Sequence, residues 1–471
     1  MKNIFLLTLL LLASCCAYSQ NKPNMVIFIA DDLGAIDLPV YGNKVVRTPH
    51  IDQLRKGSML FTQAFAASPT CGPSRSSLLT GLLPMRHGAH GNHSGVKEGT
   101  RSLVQYLAAQ GYRVAIAGKL HIGPGSVFPL ERIAGTNTVE PGFEKTPGLH
   151  YDLNLGPVDE WLGSAGHGKP FVLLVADHSP HVIWPETATY DTATADVPEF
   201  HINTPETRKA RAKYYTDITK MDGNLGRLVE LLGKHGLSQN TVLMFTADQG
   251  PQWAFGKWSL YDYGIKVPLL VKWPGVVKPG TQTDALVSLV DLLPTMVEIA
   301  GGTPPQGIDG LSFCAPLKKG TLKTHRQTVF ASHTGDGMMN RTPMRMLRTT
   351  RYKYILNIAP DTLYTTHMDK ARDHNGGREY WDSWRKAAFT AEHAAAVLYH
   401  YHHRPAEELY DLQADPSERR NLAADEGYAE LMQQFRKDME AARRQQHDTA
   451  TGPEVIIRKA GPQKPVAPYV F

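Results

Sequence analysis

The sequence predicts an α/β protein: a large, mostly parallel sheet with helices on both faces, followed by a smaller C-terminal antiparallel sheet with a packed helix. Two patterns lead to the large sheet. Five short segments, residues 25–30, 113–117, 171–176, 241–247 and 267–272, are almost wholly apolar, as strands buried on both faces must be. Helical patterns alternate with them, at 102–110, 206–235 and 292–300, which is the order of a layered α/β domain. A third observation says where the chemistry lies. Asp31 and Asp32 follow the first strand, Lys119 and His121 the second, His178 and His181 the third, and Asp248 and Gln249 the fourth. Ligands of open α/β sheets bind at the carboxyl ends of strands. Four separate segments therefore bring metal-type or acid–base side chains to one edge.

In chain order, residues 1–20 read as a secretory signal, with Lys2, an apolar run from Ile4 to Ala13 and then small residues. The run is too short to span a bilayer. Leu12-Ala13-Ser14-Cys15 fits a lipobox that would leave Cys15 lipidated on an outer-membrane lipoprotein. Ala17-Tyr18-Ser19 fits ordinary cleavage before Gln20. No acidic or flexible tether follows Cys15, so the preferred expectation is a free periplasmic protein. The catalytic α/β domain is expected over 21–326. From about Gln327 the character changes: 345–357 reads as a hairpin of alternating strands, 407–416 as a further strand and turn, and 428–444 as a helix, giving an α+β subdomain over 327–450. Residues 451–471, with Gly452-Pro453 and Gly461-Pro462, are expected to be an irregular tail.

Composition narrows the classes. The 471 residues allow a large core, and 42% hydrophobic with 20% charged residues describes a soluble globular protein without a transmembrane span. The net charge of +5, which becomes +4 once Lys2 leaves, is mild, and no Lys/Arg run implies nucleic acid. Four cysteines, Cys15, Cys16, Cys71 and Cys314, do not make a disulfide scaffold. Cys314 reads as structural.

The most specific segment is Cys71-Gly72-Pro73-Ser74-Arg75, continuing Ser76-Ser77-Leu78-Leu79-Thr80-Gly81. Pro73 suits a first helical turn, and 74–83 reads as a short helix with an apolar side. Cys71 would stand at its N-terminus, where unpaired N–H groups favour an anion. Taken alone, an ordinary buried cysteine is the simpler reading. A thiolate phosphatase is a second reading, but its Arg stands six residues after the Cys, where this chain has Ser77.

With its spacing of Cys, Pro and Arg and its Ser/Leu/Thr/Gly continuation, this segment resembles the signature of the type I, formylglycine-dependent sulfatases of the alkaline-phosphatase superfamily. Gly118-Lys119-Leu120-His121-Ile122-Gly123, Asp177-His178-Ser179-Pro180-His181, Phe255-Gly256-Lys257-Trp258 and 264–275 extend the resemblance over about 23–450. The resemblance implies that a formylglycine-generating or sulfatase-maturating enzyme oxidises Cys71 to formylglycine (3-oxoalanine). One hydroxyl of the hydrated aldehyde attacks sulfur, and the other later expels sulfate. It implies Asp31, Asp32, Asp248 and Gln249, together with residue 71, as ligands of Ca²⁺, and hard oxygen donors suit that ion. Relatives often carry Asn at position 249; Gln keeps the carbonyl with a longer reach. Arg75 and Lys119 match residues that hold the nucleophile and the sulfate, Lys257 the second sulfate-binding lysine, and His121 the residue that orients the nucleophile. His181 matches the donor to the leaving oxygen, with His178 as its second partner or the two roles exchanged. Asp31-Asp32 alone could equally be a helix cap or turn.

The implied activity is hydrolysis of a sulfuric ester on a sulfated saccharide. Segments 336–346 and 361–404 somewhat resemble heparan N-sulfatases and bacterial glycan sulfatases, which makes an N-sulfoglucosamine sulfohydrolase the alternative. A phosphomonoester or phosphodiester hydrolase of the same superfamily is a further alternative, opposed by Cys71 with Pro73 and Arg75. A non-catalytic glycan-binding relative would be expected to have lost an essential residue, whereas all the main positions are filled. The run Tyr399-His400-Tyr401-His402-His403 reads as surface or substrate-edge packing rather than a metal site. His87, His90 and His93 could either line the pocket mouth or pack at the helix end.

Overall fold

The computed structural model describes residues 22–139, 151–165, 168–370 and 377–453. The expected signal segment lies outside these residues, as does most of the expected tail.

Eight strands form the main sheet: β1 (Asn24–Ala30), β2 (Met59–Phe61), β3 (Arg113–Gly118), β4 (Glu131–Arg132), β5 (Phe171–Ala176), β6 (Thr241–Ala247), β7 (Leu269–Lys272) and β8 (Gln282–Thr283). Their spatial order is β8-β2-β7-β6-β1-β5-β3-β4. Only β7 runs against its neighbours. The three central strands β1, β5 and β6 are buried at every position, which is why their sequences carry no alternation.

Helices α1 (Pro49–Lys56), α2 (Cys71–Thr80), α3 (Leu103–Ala108), α4 (Pro205–Lys234) and α5 (Leu292–Ile299) accompany the sheet. Helix α4 starts on Thr204, whose hydroxyl accepts from Thr207 N at 3.1 Å, with Pro205 in the first turn. Helix α2 departs from expectation. It begins at Cys71 itself and ends at Thr80 on a left-handed Gly81, and every one of its residues is buried. It is thus enclosed on all sides rather than amphipathic, because its polar side chains are consumed inside. Ser77 Oγ meets His87 Nε2 at 3.0 Å, Thr80 Oγ1 donates to Ser76 O at 2.7 Å, and Ser74 Oγ donates to the carbonyl of Asp248.

The second sheet is antiparallel: β9 (Val329–His333), β10 (Met344–Arg348), β11 (Tyr352–Asn357) and β12 (Glu407–Asp411). Phe330, Leu347, Tyr354 and Leu409 meet Met432, Phe435 and Met439 of the C-terminal helix α6 (Ala429–Gln445). Val329, Ala331, Met344, Met346 and Ile355 join the main core. With both faces covered, the strands of the hairpin have no solvent side, and their charged residues Arg345, Arg348 and Lys353 are buried in pairs. Arg345 Nε lies 2.7 Å from Asp448, Arg348 Nε 3.2 Å from Asp262, and Lys353 Nζ 2.7 Å from Glu418. No helix among the described residues is long and apolar enough to cross a membrane.

Candidate active site

Strand register assembles the site. Ala30 pairs with Ala247, Ile29 with Ala176, and Gly118 with Ala176. Asp31, Asp248 and Lys119 consequently leave the sheet at one edge. Gly118 is obligatory there: its φ is +81°, and a Cβ would stand 2.0 Å from the Ala176 carbonyl oxygen. Asp32, His93, His121 and Trp258, none of them glycine, also hold positive φ at this edge. Such strain persists only where the surroundings enforce it, and it gathers at functional sites.

Cys71, at the first turn of α2, points into the cluster. Its Sγ lies 3.4 Å from Gln249 Nε2, 3.8 Å from Asp32 Oδ1 and 3.9 Å from Lys119 Nζ. Burial pushes the thiol up to about 12, against the pull of Lys119 and Lys257. The side chain is therefore a neutral thiol at ordinary pH, unlike the thiolate a cysteine phosphatase needs.

Three acids and three bases interlock around it. Arg75 Nε donates to Asp248 Oδ2 at 2.8 Å, and its Nη2 is 3.4 Å from Asp31 Oδ1. Lys119 Nζ pairs closely with Asp31 Oδ2, and Lys257 Nζ lies 2.7 Å from Asp32 Oδ2. Asp32 N donates to Asp248 Oδ1 at 3.1 Å, and Gln249 Nε2 donates to Asp32 Oδ1. All seven of these residues, Cys71 apart, are at most 4% exposed. Burial would raise Asp31, but Lys119, His181 and Arg75 overcome it and hold this carboxyl well below its usual range. Burial keeps Asp32 and Asp248 raised, with neighbouring carboxylates adding to the effect.

The two histidines after β5 separate. His181 Nε2 faces Asp32 Oδ2 at 3.6 Å, and its Nδ1 is engaged by the Val182 carbonyl. Burial, then Lys257 and Lys119, hold this imidazole well below its usual value. His178 turns the other way, with Nε2 3.1 Å from Asn137 Oδ1 and its ring against Tyr151. His121 stands beside Lys119 but meets His93, at 2.9 Å from Nε2 to Nδ1. Arg75, Lys119, His181, Lys257 and the acids thus share one pocket with Cys71, while His178 and His121 border it.

The donor set fits a hard divalent cation. Asp31 Oδ1 and Gln249 Oε1 are buried oxygens without a hydrogen-bond donor among the described residues. Ligand atoms of Asp31, Cys71 and Asp248, and again of Asp32, Cys71 and His181, lie within 4.8 Å of one another. These are the only groups of that kind among the described residues, so the 399–403 run makes none. There His400 meets Tyr261, Tyr401 is buried against Trp381, and His402 meets the Tyr364 carbonyl.

The sulfatase family profile matches residues 23–302. This chain belongs to the sulfatase family. A second profile, N-sulphoglucosamine sulphohydrolase C-terminal, matches residues 250–388. An ulvan-active sulfatase of Formosa agariphila is 32% identical, over 89% of this chain and 80% of that one. Human N-sulphoglucosamine sulphohydrolase is 30% identical over 97% and 96%. Among solved structures, an enzyme in complex with its substrate D-glucosamine-2-N,6-O-disulfate has a TM-score of 0.65 at 17% identity, covering 92% of this chain and 99% of that one. A phosphonate monoester hydrolase of Agrobacterium radiobacter has 0.68 at 19%, covering 90% and 96%. At such identities these two show the fold. As a sulfatase, the chain is an enzyme acting on sulfate esters.

Asn92 borders the site without having been noted in the sequence, and Trp258 and Asp336, which lie in segments noted for their family resemblance, border it without having been given a role. His93 was one of three histidines after the signature, and the structure sorts them: His87 is the helix-end residue bonded to Ser77, and His93 is the one that reaches His121.

Proposed function

We propose that this sulfatase releases sulfate from a sulfated saccharide, with Cys71 converted to formylglycine and Ca²⁺ held by Asp31, Asp32, Asp248 and Gln249. The observation that carries the reading is the position of Cys71. It is buried and neutral among the three acids and three bases, within a hard-oxygen ligand set in which Asp31 Oδ1 and Gln249 Oε1 accept no hydrogen bond among the described residues. The converted residue would supply the nucleophile and the cation would polarise the sulfate.

The chain's own residues account for the rest. Arg75, Lys119 and Lys257 balance Asp31, Asp32 and Asp248, three charges against three. A divalent ion added to this neutral set leaves a surplus that favours an anionic ester and the charge building on its oxygens. Arg75 orients Asp248 while keeping its outer nitrogen toward Asp31. The Val182 carbonyl accepts from His181 Nδ1 and fixes one tautomer, and the free Nε2 would pass the proton lost by the attacking hydroxyl on to the departing alcohol. Glycan relatives such as the ulvan-active sulfatase support a saccharide substrate. The matched C-terminal profile and the human relative favour, as a second reading, an N-sulfated glucosamine. A maturating enzyme would be the partner, and export to the periplasm, free or lipid-anchored at Cys15, the setting in which the substrate is met.

The test is a panel of defined O- and N-sulfated mono- and disaccharides with enzyme whose Cys71 conversion is verified by peptide mass. Sulfate release that is lost in Cys71→Ala and in chelator supports the reading. Full turnover by the alanine variant would sink the nucleophile assignment. Release of phosphate but not sulfate would move the enzyme to the phosphoester branch.

A further inference from the structure

One carboxylate at the catalytic rim is unlike the three inside. Asp31, Asp32 and Asp248 are paired with Lys119, Lys257 and Arg75 in turn, and their side chains are 0% exposed. Asp336, in the loop after β9, has a side chain 6% exposed, and no lysine or arginine pairs with it among the described residues. Its Oδ2 accepts from Trp258 Nε1 at 2.8 Å and from Asn92 Nδ2 at 2.9 Å. Its Oδ1 accepts no hydrogen bond among the described residues. His93 Nε2 stands 3.7 Å from it, beyond hydrogen-bond reach, and meets the Asn92 amide at 3.2 Å. The carboxyl stays ionised: burial would raise it, but His367 and His93 hold it below its usual value. A buried charge with one oxygen unsatisfied is costly, and a ligand donor would complete it. Two links tie this group to the reaction centre. Asn92 Oδ1 accepts from Gly72 N at 3.3 Å, next to Cys71. Trp258 follows Lys257, whose ammonium lies 5.3 Å from the indole ring centre. The loop is braced: Asp336 N donates to Asn340 O at 2.9 Å, and Asn92 N to Gly335 O at 3.1 Å.

We propose that Asp336 is a specificity residue: its Oδ1 accepts from a free hydroxyl on the sugar ring that carries the scissile sulfate, and its charge turns away a ring bearing a second sulfate at that position. This deepens the sulfatase reading above and rests on it. The carboxylate lies one side chain outward from both residue 71 and Lys257, where the ring of an ester bound between them would lie. An ionised carboxylate only accepts, so it can take a hydroxyl proton and has nothing to offer sulfate oxygens. Bringing those oxygens against it sets like charges together in a buried setting, which rejects the wrong ring as well as selecting the right one. The inner pocket thus calls for one sulfate, and the rim calls for a donor beside it. Bracing of the loop from both ends holds the accepting oxygen in one place, which recognition of a single ring position needs.

The experiment uses the full-length enzyme with verified Cys71 conversion and a matched set built on the best monosulfated sugar of the panel. The set holds the parent, the deoxy analogues lacking each free hydroxyl in turn, and the analogues sulfated at each in turn. In wild type one position should stand out, with kcat/KM lower by about tenfold or more for both its deoxy and its sulfated analogue. Asp336→Asn keeps an oxygen for Trp258 and Asn92 and turns its NH₂ toward the rim, a donor in place of an acceptor. Its kcat/KM on the parent should fall by about tenfold or more, while it cleaves the sulfated analogue at that position as well as wild type does or better. An equal loss on every substrate, or wild-type ratios in the variant, overturns the proposal, as does a wild type indifferent to every hydroxyl. A calcium midpoint displaced from wild type assigns the loss to the metal site and overturns it as well. If Asp336→Asn does not fold, Asp336→Glu is read by the same ratios. Moving the oxygen by one methylene should shrink the preference for parent over deoxy analogue, and an unchanged preference overturns the proposal. Failure of the sulfatase reading itself looks different, since wild type would then release sulfate from no member of the set.

Discussion

Lys257→Met should separate binding of the ion from turnover. Lys257 Nζ and Asp32 Oδ2 are 2.7 Å apart, with both side chains buried. At an effective dielectric constant near 20 their attraction is about 6 kcal/mol, and removing one partner of such a buried pair costs about 3–5 kcal/mol. Unfolding entropy of about 2.1 cal/mol/K per residue over ~450 residues gives ~1 kcal/mol/K, so the apo variant should melt roughly 3–5 °C below wild type. Methionine keeps the chain's volume, so little of this reflects a cavity. In wild type an ion claiming Asp32 competes with the ammonium; in the variant it does not. Calcium should therefore raise the variant's Tm at a lower concentration than it does for wild type. Saturation at 100 times Kd contributes about 2.7 kcal/mol and should return most of the lost stability. If Lys257 binds the sulfate as its match to the family's second lysine implies, activity should still fall by about 10²–10³-fold. Thermal melts across a calcium–chelator series, paired with sulfate release, measure both. A variant with wild-type Tm in chelator and an unchanged or higher calcium midpoint would refute the pairing as an element of metal control.

Two further outcomes follow from backbone and burial. Gly118→Ala places a methyl on the Ala176 carbonyl and strains a φ of +81°, so urea unfolding should show a loss of more than about 3 kcal/mol, with sulfate release abolished as Lys119 shifts. Acid should destabilise the enzyme from the neutral side. Burial lowers His87 and His201 to about 3 and His333 to about 4, so between those values and about 6.5 the unfolded chain binds protons that the folded one refuses. Stability then falls steadily as pH drops from about 6.5 toward 4, and His201→Gln should flatten the slope. A flat stability curve over that range would refute the neutral burial of these rings.

The parts legible in the sequence are those that local physics marks. Residues 171–176 and 241–247 were recognisable because burial on both faces leaves only apolar choices, and Asp31, Asp32, Asp248 and Gln249 because they follow such runs directly. Helix α2 misled in one respect: Ser74, Ser76, Ser77 and Thr80 look like a solvent face, yet each is inside, and only the surrounding fold supplies their partners. His178 and His181 could not be told apart by spacing; the turn after β5 sends one to Asn137 and the other to Asp32.

Residues whose meaning comes from distant pairing left no local mark. Asp336 follows Thr334-Gly335 and precedes Gly337, which in isolation is a turn. Its carboxylate meets Asn92 and Trp258 only because β9 pairs in register with β10 and carries the following loop to them. The second sheet is thereby more than a cover for the main core. It contributes a buried charge to the rim at which β1, β3 and β6 end, and Arg348 and Lys353, paired with Asp262 and Glu418, tie that sheet to the chain just beyond Lys257. A loop that meets this rim from a separately braced sheet can vary while the proposed metal ligands stay fixed at the strand ends. Substrate preference should accordingly respond to changes in 336–346 more readily than metal affinity does.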